Sequence, residues 1–171
     1  MKKTVILPLL ISIVFIQCAT LNQQGNLHTD RSGGFSLVKP DGWQAMDVSQ
    51  KYMALVGPEE NGFSPNIILV DEAYSGSISF YMDSAINLIS ELFTNFRLLD
   101  RSAFTTNAGV TGEFIYYTAT MGNVSVRQRM FVFPNRRGNM IMAISCTAPV
   151  INGERFEEIF DEAIKTFIWT R

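Results

Sequence analysis

Four apolar stretches that do not alternate constrain this chain more than any other feature: Asn66-Ile-Ile-Leu-Val70, Phe114-Ile-Tyr-Tyr117, Met130-Phe-Val-Phe133 and Met140-Ile-Met-Ala-Ile144. A strand with one wet face reads apolar, polar, apolar, whereas a strand covered on both faces reads as an unbroken apolar run. The connectors between the later strands are short. Met121-Gly122-Asn123 joins Gly112–Thr120 to Val124–Phe133, and Pro134-Asn-Arg-Arg-Gly-Asn139 joins that strand to Met140–Ala148. Turns this short demand antiparallel neighbours. A largely antiparallel sheet with one helix on each face meets both demands, so the expected fold is α+β, a three-layer α/β/α sandwich.

Two segments supply the helices. Met82, Ala85, Ile86, Ile89, Leu92, Phe93 and Phe96 fall on one face at helical spacing, with Ser77 or Ser79 as the N-cap. Phe156, Ile159, Phe160, Ala163, Ile164 and Phe167 repeat the pattern. Asn152 is the expected cap there, and Glu154, Glu157 and Glu158 suit the positive end of that helix. Arg97–Thr105, Gly34–Lys39, Tyr52–Gly57 and Asn66–Asp71 complete the expected strands.

The N-terminus reads as a targeting segment. Lys2 and Lys3 precede an apolar run from Val5 to Ile16, followed by Gln17-Cys18-Ala19. A positive start, a short apolar middle and a processing point make a secretory leader. The run is shorter than the roughly 17–25 residues of a spanning helix. A cysteine at that point resembles the acylation site of bacterial lipoproteins. Phe15, Ile16 and Gln17 depart from the usual lipobox and are similar to the relaxed signals of spirochaete lipoproteins. The resemblance implies a signal peptide at 1–17, a lipidated Cys18, and an extracytoplasmic protein anchored to the cell membrane, at its periplasmic or outer-membrane face. The alternative is an ordinary leader cut near Ala19 or Thr20. Residues 18–33, polar and without periodicity, are the expected tether, and 34–171 the domain.

Removing Lys2 and Lys3 takes Lys+Arg from 14 to 12 against 16 Asp+Glu, so the formal charge of −2 becomes −4. That balance excludes a nucleic-acid backbone binder. With Cys18 lipidated, Cys146 has no disulfide partner and reads as a small core residue. A nucleophilic role needs an activating partner, and the one histidine, His28, lies in the tether. Asp71-Glu72 and Glu59-Glu60 are poor acid/base dyads, since neighbours on a strand point to opposite faces. No phosphate loop, metal-ligand spacing or catalytic triad occurs, so no cofactor is expected.

Gly34-Phe35-Ser36-Leu37-Val38-Lys39-Pro40-Asp41-Gly42-Trp43 resembles the opening of PsbP-like domains, a strand followed by a Pro-x-Gly-Trp turn. The order of elements over about residues 33–170 is also similar to that family. It includes photosystem accessory subunits, a nuclear-transport regulator that binds a small GTPase, and bacterial lipoproteins of the DcrB-like group. The resemblance implies a non-enzymatic accessory or partner-binding role and carries no catalytic residue. Trp43 reads as a core anchor or as a partner contact. Arg127, Arg129, Arg136 and Arg137 form the basic cluster, either a charged strand edge or a contact for an acidic partner or lipid headgroup. The expected function is a lipid-anchored accessory protein with a protein partner. The alternative is a small-ligand or lipid carrier with an apolar cleft between sheet and helix, since thirteen Phe and eight Met supply an adaptable lining.

Overall fold

The computed structural model describes residues 26–31, 33–49, 52–60 and 62–170. The leader and Cys18 lie outside the described residues. In chain order the elements are β1 (Leu27–Asp30), β2 (Phe35–Val38), β3 (Gln44–Ser49), β4 (Tyr52–Val56), β5 (Asn66–Ala73), α1 (Ile78–Leu92), β6 (Thr94–Thr105), β7 (Thr111–Met121), β8 (Val124–Pro134), β9 (Met140–Pro149), α2 (Arg155–Lys165) and β10 (Ile168–Trp169).

Seven strands form one antiparallel sheet in the order β3-β4-β5-β9-β8-β7-β6. A smaller antiparallel sheet, β1-β2-β10, lies apart from it. The unbroken apolar runs are accounted for by burial on both faces. Along β8, Met130 and Val132 pack with Tyr81, Met82, Ala85 and Ile89 of α1. Phe131 and Phe133, the alternate residues, pack with Phe156, Phe160 and Ile164 of α2 and with Phe35 and Leu37 of the small sheet. On β9, Ile141 and Ala143 turn to the α1 side, while Met142, Ile144 and Cys146 turn to the α2 side. Each fully buried Phe or Ile contributes about 1.5–3 kcal/mol. The three-layer arrangement follows from this pattern.

The α2 side is rich in aromatic rings. Phe133 stacks on Phe167 with centroids 5.2 Å apart, Phe167 stacks on Phe35 at 5.9 Å, and Phe104 meets Phe131 edge-on at 4.8 Å. These rings pack in the layer between the sheet and α2. The Trp169 indole donates to the Pro134 carbonyl at 3.0 Å and ties the small sheet to the end of β8.

Several boundaries differ from expectation. Ser77 caps α1 as expected, its hydroxyl accepting from Phe80 N at 3.2 Å. The helix ends at Leu92, however, so Phe96 sits in β6, where it packs on Tyr117 with centroids 5.3 Å apart. Leu92 is exposed rather than buried. Asn152 does not cap α2: it occupies the left-handed region at φ 59° in the preceding turn, and Glu154 is the N-cap residue. Leu27–Asp30, expected as the end of the tether, is a strand paired with β2, its Thr29 hydroxyl accepting from Ser36 Oγ at 3.1 Å. Ordered pairing therefore begins before residue 34.

The outermost strand β6 is long but interrupted. Its register with β7 shifts between Thr94 and Arg97 and again between Leu98 and Asp100. Arg101 in its centre reaches Asp83 at 2.5 Å and Glu113 at 2.9 Å, fastening α1 to the sheet.

Candidate functional site

Arg127 and Arg129 stand on β8, an interior strand between β7 and β9. They are therefore not edge charges. Alternation on β8 turns both toward α2, whose Glu157 and Asp161 are four residues apart on one helical face, with Glu154 at the helix start. Arg127 reaches Glu154 at 3.0 Å and Glu157 at 2.6 Å. Arg129 reaches Glu157 at 3.4 Å and Asp161 at 3.0 Å. Tyr116 of β7 lies between them, accepting from Arg127 Nε at 2.8 Å and donating to Glu157 Oε1 at 2.8 Å. The Arg129 guanidinium also covers the Phe114 ring, 4.8 Å from its centroid.

The two arginine side chains are only 16% and 14% exposed, which decides their role. Their terminal N–H groups face carboxylates of the same chain, so an outside anion would have to compete for them, while Arg127 Nε donates to Tyr116 and Arg129 Nε is buried without a partner. Burial raises the Asp161 carboxyl above its ordinary value against the opposing pull of Arg129. Burial works against the charge of Arg127, but Tyr116, Glu154 and Glu157 outweigh it and its pKa rises. Cys146, directly opposite Arg129 in the β8–β9 register, is fully buried, and that burial pushes its thiol well up. A thiol held protonated is a poor nucleophile. The group is a clasp that fixes α2 to the sheet.

Arg136 and Arg137 are exposed in the turn between β8 and β9, at the opposite end of β8 from Arg127. Seven residues of strand, Gln128 to Pro134, about 3.3 Å each, separate Arg127 from the turn that holds Arg136. The four arginines thus do not form one basic cluster. Trp43 is buried, edge-on to Phe160 with centroids 6.0 Å apart. The turn before it closes through Trp43 N donating to the Pro40 carbonyl at 3.2 Å, with Gly42 at φ 76°. The indole lies in the core.

The uncharged end of the main sheet was not among the sequence-based candidates. Leu92 closes α1, Val124 opens β8 beside Met121, and Val150 and Ile151 follow β9, with Val150 N donating to the Ser125 carbonyl at 2.9 Å. All four apolar side chains are exposed, Ile151 at 79%. The connectors at this end, 93–96, 120–125 and 149–153, contain no charged residue. That shared neutrality was the signal available in the sequence. Single exposed apolar residues are ordinary, but a group of them is a candidate interaction surface, bordered here by the exposed Glu91 and Glu154.

The sheet order, the helix on each face and the small sheet beside α2 together settle the architecture. This chain has the PsbP-like fold. The solution structure of cyanobacterial PsbP from Synechocystis sp. PCC 6803 is similar at 14% identity, covering 91% of this chain and 98% of that one, with a TM-score of 0.63. The Ran-binding protein Mog1p of Saccharomyces cerevisiae is similar at 11% identity, covering 87% of this chain and 97% of the other, TM-score 0.58. LpqN of Mycobacterium tuberculosis, involved in cell envelope biogenesis, is similar at 17% identity, covering 78% and 81%, TM-score 0.59. No family model and no curated protein matches the sequence. At these identities the likeness is one of PsbP-like fold. Among the described residues, no helix is long and apolar enough to cross a membrane.

Proposed function

We propose that this protein is a lipid-anchored, extracytoplasmic accessory protein that works by binding a protein partner and catalyses no reaction. The observation that carries the reading is the uncharged end of the sheet, where Leu92, Val124, Val150 and Ile151 stand exposed together. The buried clasp supports it, because the side chains best suited to chemistry, Arg127, Arg129, Tyr116 and Glu157, are engaged with one another. Mog1p is a Ran-binding protein with the same fold, which supports partner binding as a use of this architecture. The leader and Cys18 support anchoring outside the cytoplasm. The carrier alternative has less support, since Phe131, Phe133, Phe160 and Phe167 already fill the sheet–α2 space.

The test is photo-crosslinking in intact cells of the native host, with benzoylphenylalanine at Ile151 or at Arg136. The reading expects a discrete adduct from position 151, lost on Val124→Asp, and none from 136. Absence of any adduct from 151, or equal adducts from both positions, would sink it.

A further inference from the structure

The small sheet has an outer face whose margins are exposed around a buried centre. Leu27 opposes Val38 in the β1–β2 register, Thr29 opposes Ser36, and Ile168 of β10 opposes the same Ser36. Opposed residues of a sheet share a face, and Ser36 and Val38, two apart, share it too. Phe35 and Leu37 are buried on the other side. The outer face is therefore Leu27, Thr29, Ser36, Val38 and Ile168, without a charge; Ser36 at its centre is buried, and the three large apolar side chains around it are exposed, Leu27 at 64%.

We infer that this face rests on the surface of the membrane that holds the protein. The inference rests on the proposed lipid anchor at Cys18 and adds to it an orientation. Leu27 is nine residues from Cys18. Even a fully extended chain of nine residues reaches at most about 30 Å, roughly the diameter of a domain this size. The anchor thus ties the domain to the lipid from its β1 end, since β1 is the described strand that follows it in the chain. The first residue of that strand is itself the most exposed apolar residue of the face.

The opposite end of the molecule faces away. Val38 N donates to Thr166 Oγ1 at 2.7 Å, which places the small sheet beside the C-terminal end of α2. Ile151 lies just before the N-terminal end of that helix. An eleven-residue helix is about 16 Å long, so the uncharged tip stands at least that far from the anchored face. One apolar surface takes the bilayer and the other stays free for a protein.

The test uses the full chain, expressed with its leader and reconstituted in vesicles of phosphatidylcholine and phosphatidylglycerol that include doxyl-labelled lipid. Thr29→Cys and Ser125→Cys variants are each labelled with an environment-sensitive fluorophore; buried Cys146 does not compete for label in the folded protein. Mass analysis reports the state of Cys18. The inference expects a blue-shifted probe at 29, quenched several-fold more strongly by the doxyl lipid than the probe at 125. Leu27→Asp combined with Val38→Asp should abolish that difference. A lipidated chain with equal quenching at the two positions, or stronger quenching at 125, overturns the orientation alone. A lipidated chain whose probe at 29 escapes the lipid but self-quenches between copies assigns the face to a second copy and likewise overturns it. A mature chain without lipid on Cys18 overturns the anchor and the orientation together.

Discussion

Replacing Arg129 with Met tests the clasp. The side chain keeps much of its apolar stem but loses the charge that faces Glu157 at 3.4 Å and Asp161 at 3.0 Å. It also leaves the Phe114 ring without its cation, 4.8 Å above it in the native protein. Asp161 Oδ1 is buried and has no hydrogen bond, so the Arg129 ion pair is its main compensation, with a smaller attraction from Lys165. Removing one partner of a buried pair costs about 3–5 kcal/mol. Asp161 is 29% exposed, so water recovers part of that, and about 3 kcal/mol is expected. At roughly 2–4 °C per kcal/mol for a domain of this size, the melting temperature should fall by about 6–12 °C. Arg129→Met with Asp161→Leu removes both charges and should recover most of the loss, since apolar replacement of a whole buried pair is close to neutral.

The pH dependence adds a second readout. Burial already raises the folded-state pKa of Asp161, and Arg129 opposes that rise. Without Arg129 the rise becomes larger. A carboxyl whose pKa is raised on folding favours the folded state below its unfolded value, and that contribution is lost as pH rises through the folded value. The deficit of Arg129→Met should therefore be largest at neutral pH and shrink toward the ordinary Asp value of about 4. Urea unfolding followed by Trp43 and Trp169, both buried, measures it. A loss below about 1 kcal/mol, the range of exposed pairs, or a deficit that does not change with pH, would refute the clasp.

Phe133→Ala should cost about 3–5 kcal/mol, because Phe133 is fully buried and stacks on Phe167; the urea midpoint reports it. Gly57→Ala should cost about 1–3 kcal/mol by overpacking. An added Cβ would meet the Trp43 indole at 2.8 Å and Pro65 at 2.9 Å, so the near-ultraviolet circular dichroism of the indole should change with it. Ser77→Ala removes the hydroxyl that caps Phe80 N and should lower stability by about 1 kcal/mol, read from the same urea curve. In a Cys18→Ser chain, Cys146, fully buried with its thiol pKa pushed up, should react with a thiol reagent no faster than the protein unfolds. Fast labelling of the native state would contradict that burial.

The layers were legible because burial on both faces leaves its mark in each strand separately. Met130-Phe-Val-Phe133 divides its side chains between α1 and α2, and no tertiary knowledge was needed to see that neither face is wet. The end of α1 was misread because Phe93 and Phe96 extend the helical spacing by coincidence. Asn95, at φ 55°, turns the chain into β6. Strand β1, Leu-His-Thr-Asp, has no periodic signal of its own; its pairing with β2 supplies the partner that its composition lacks. The clasp was half visible. Arg127 and Arg129 alternate on one strand and Glu157 and Asp161 recur on one helix face, but their meeting depends on where α2 lies across β8. Local spacing does not contain that placement.

The two breaks in β6 have a consequence for crowding. A free strand edge invites a neighbour's backbone to continue the hydrogen-bonded ladder, and this edge is twelve residues long. Each bulge throws an approaching strand out of step, so the regular row of amides on offer shortens to Asp100–Thr105. Copies crowded together then find a shorter template for zipping into fibres.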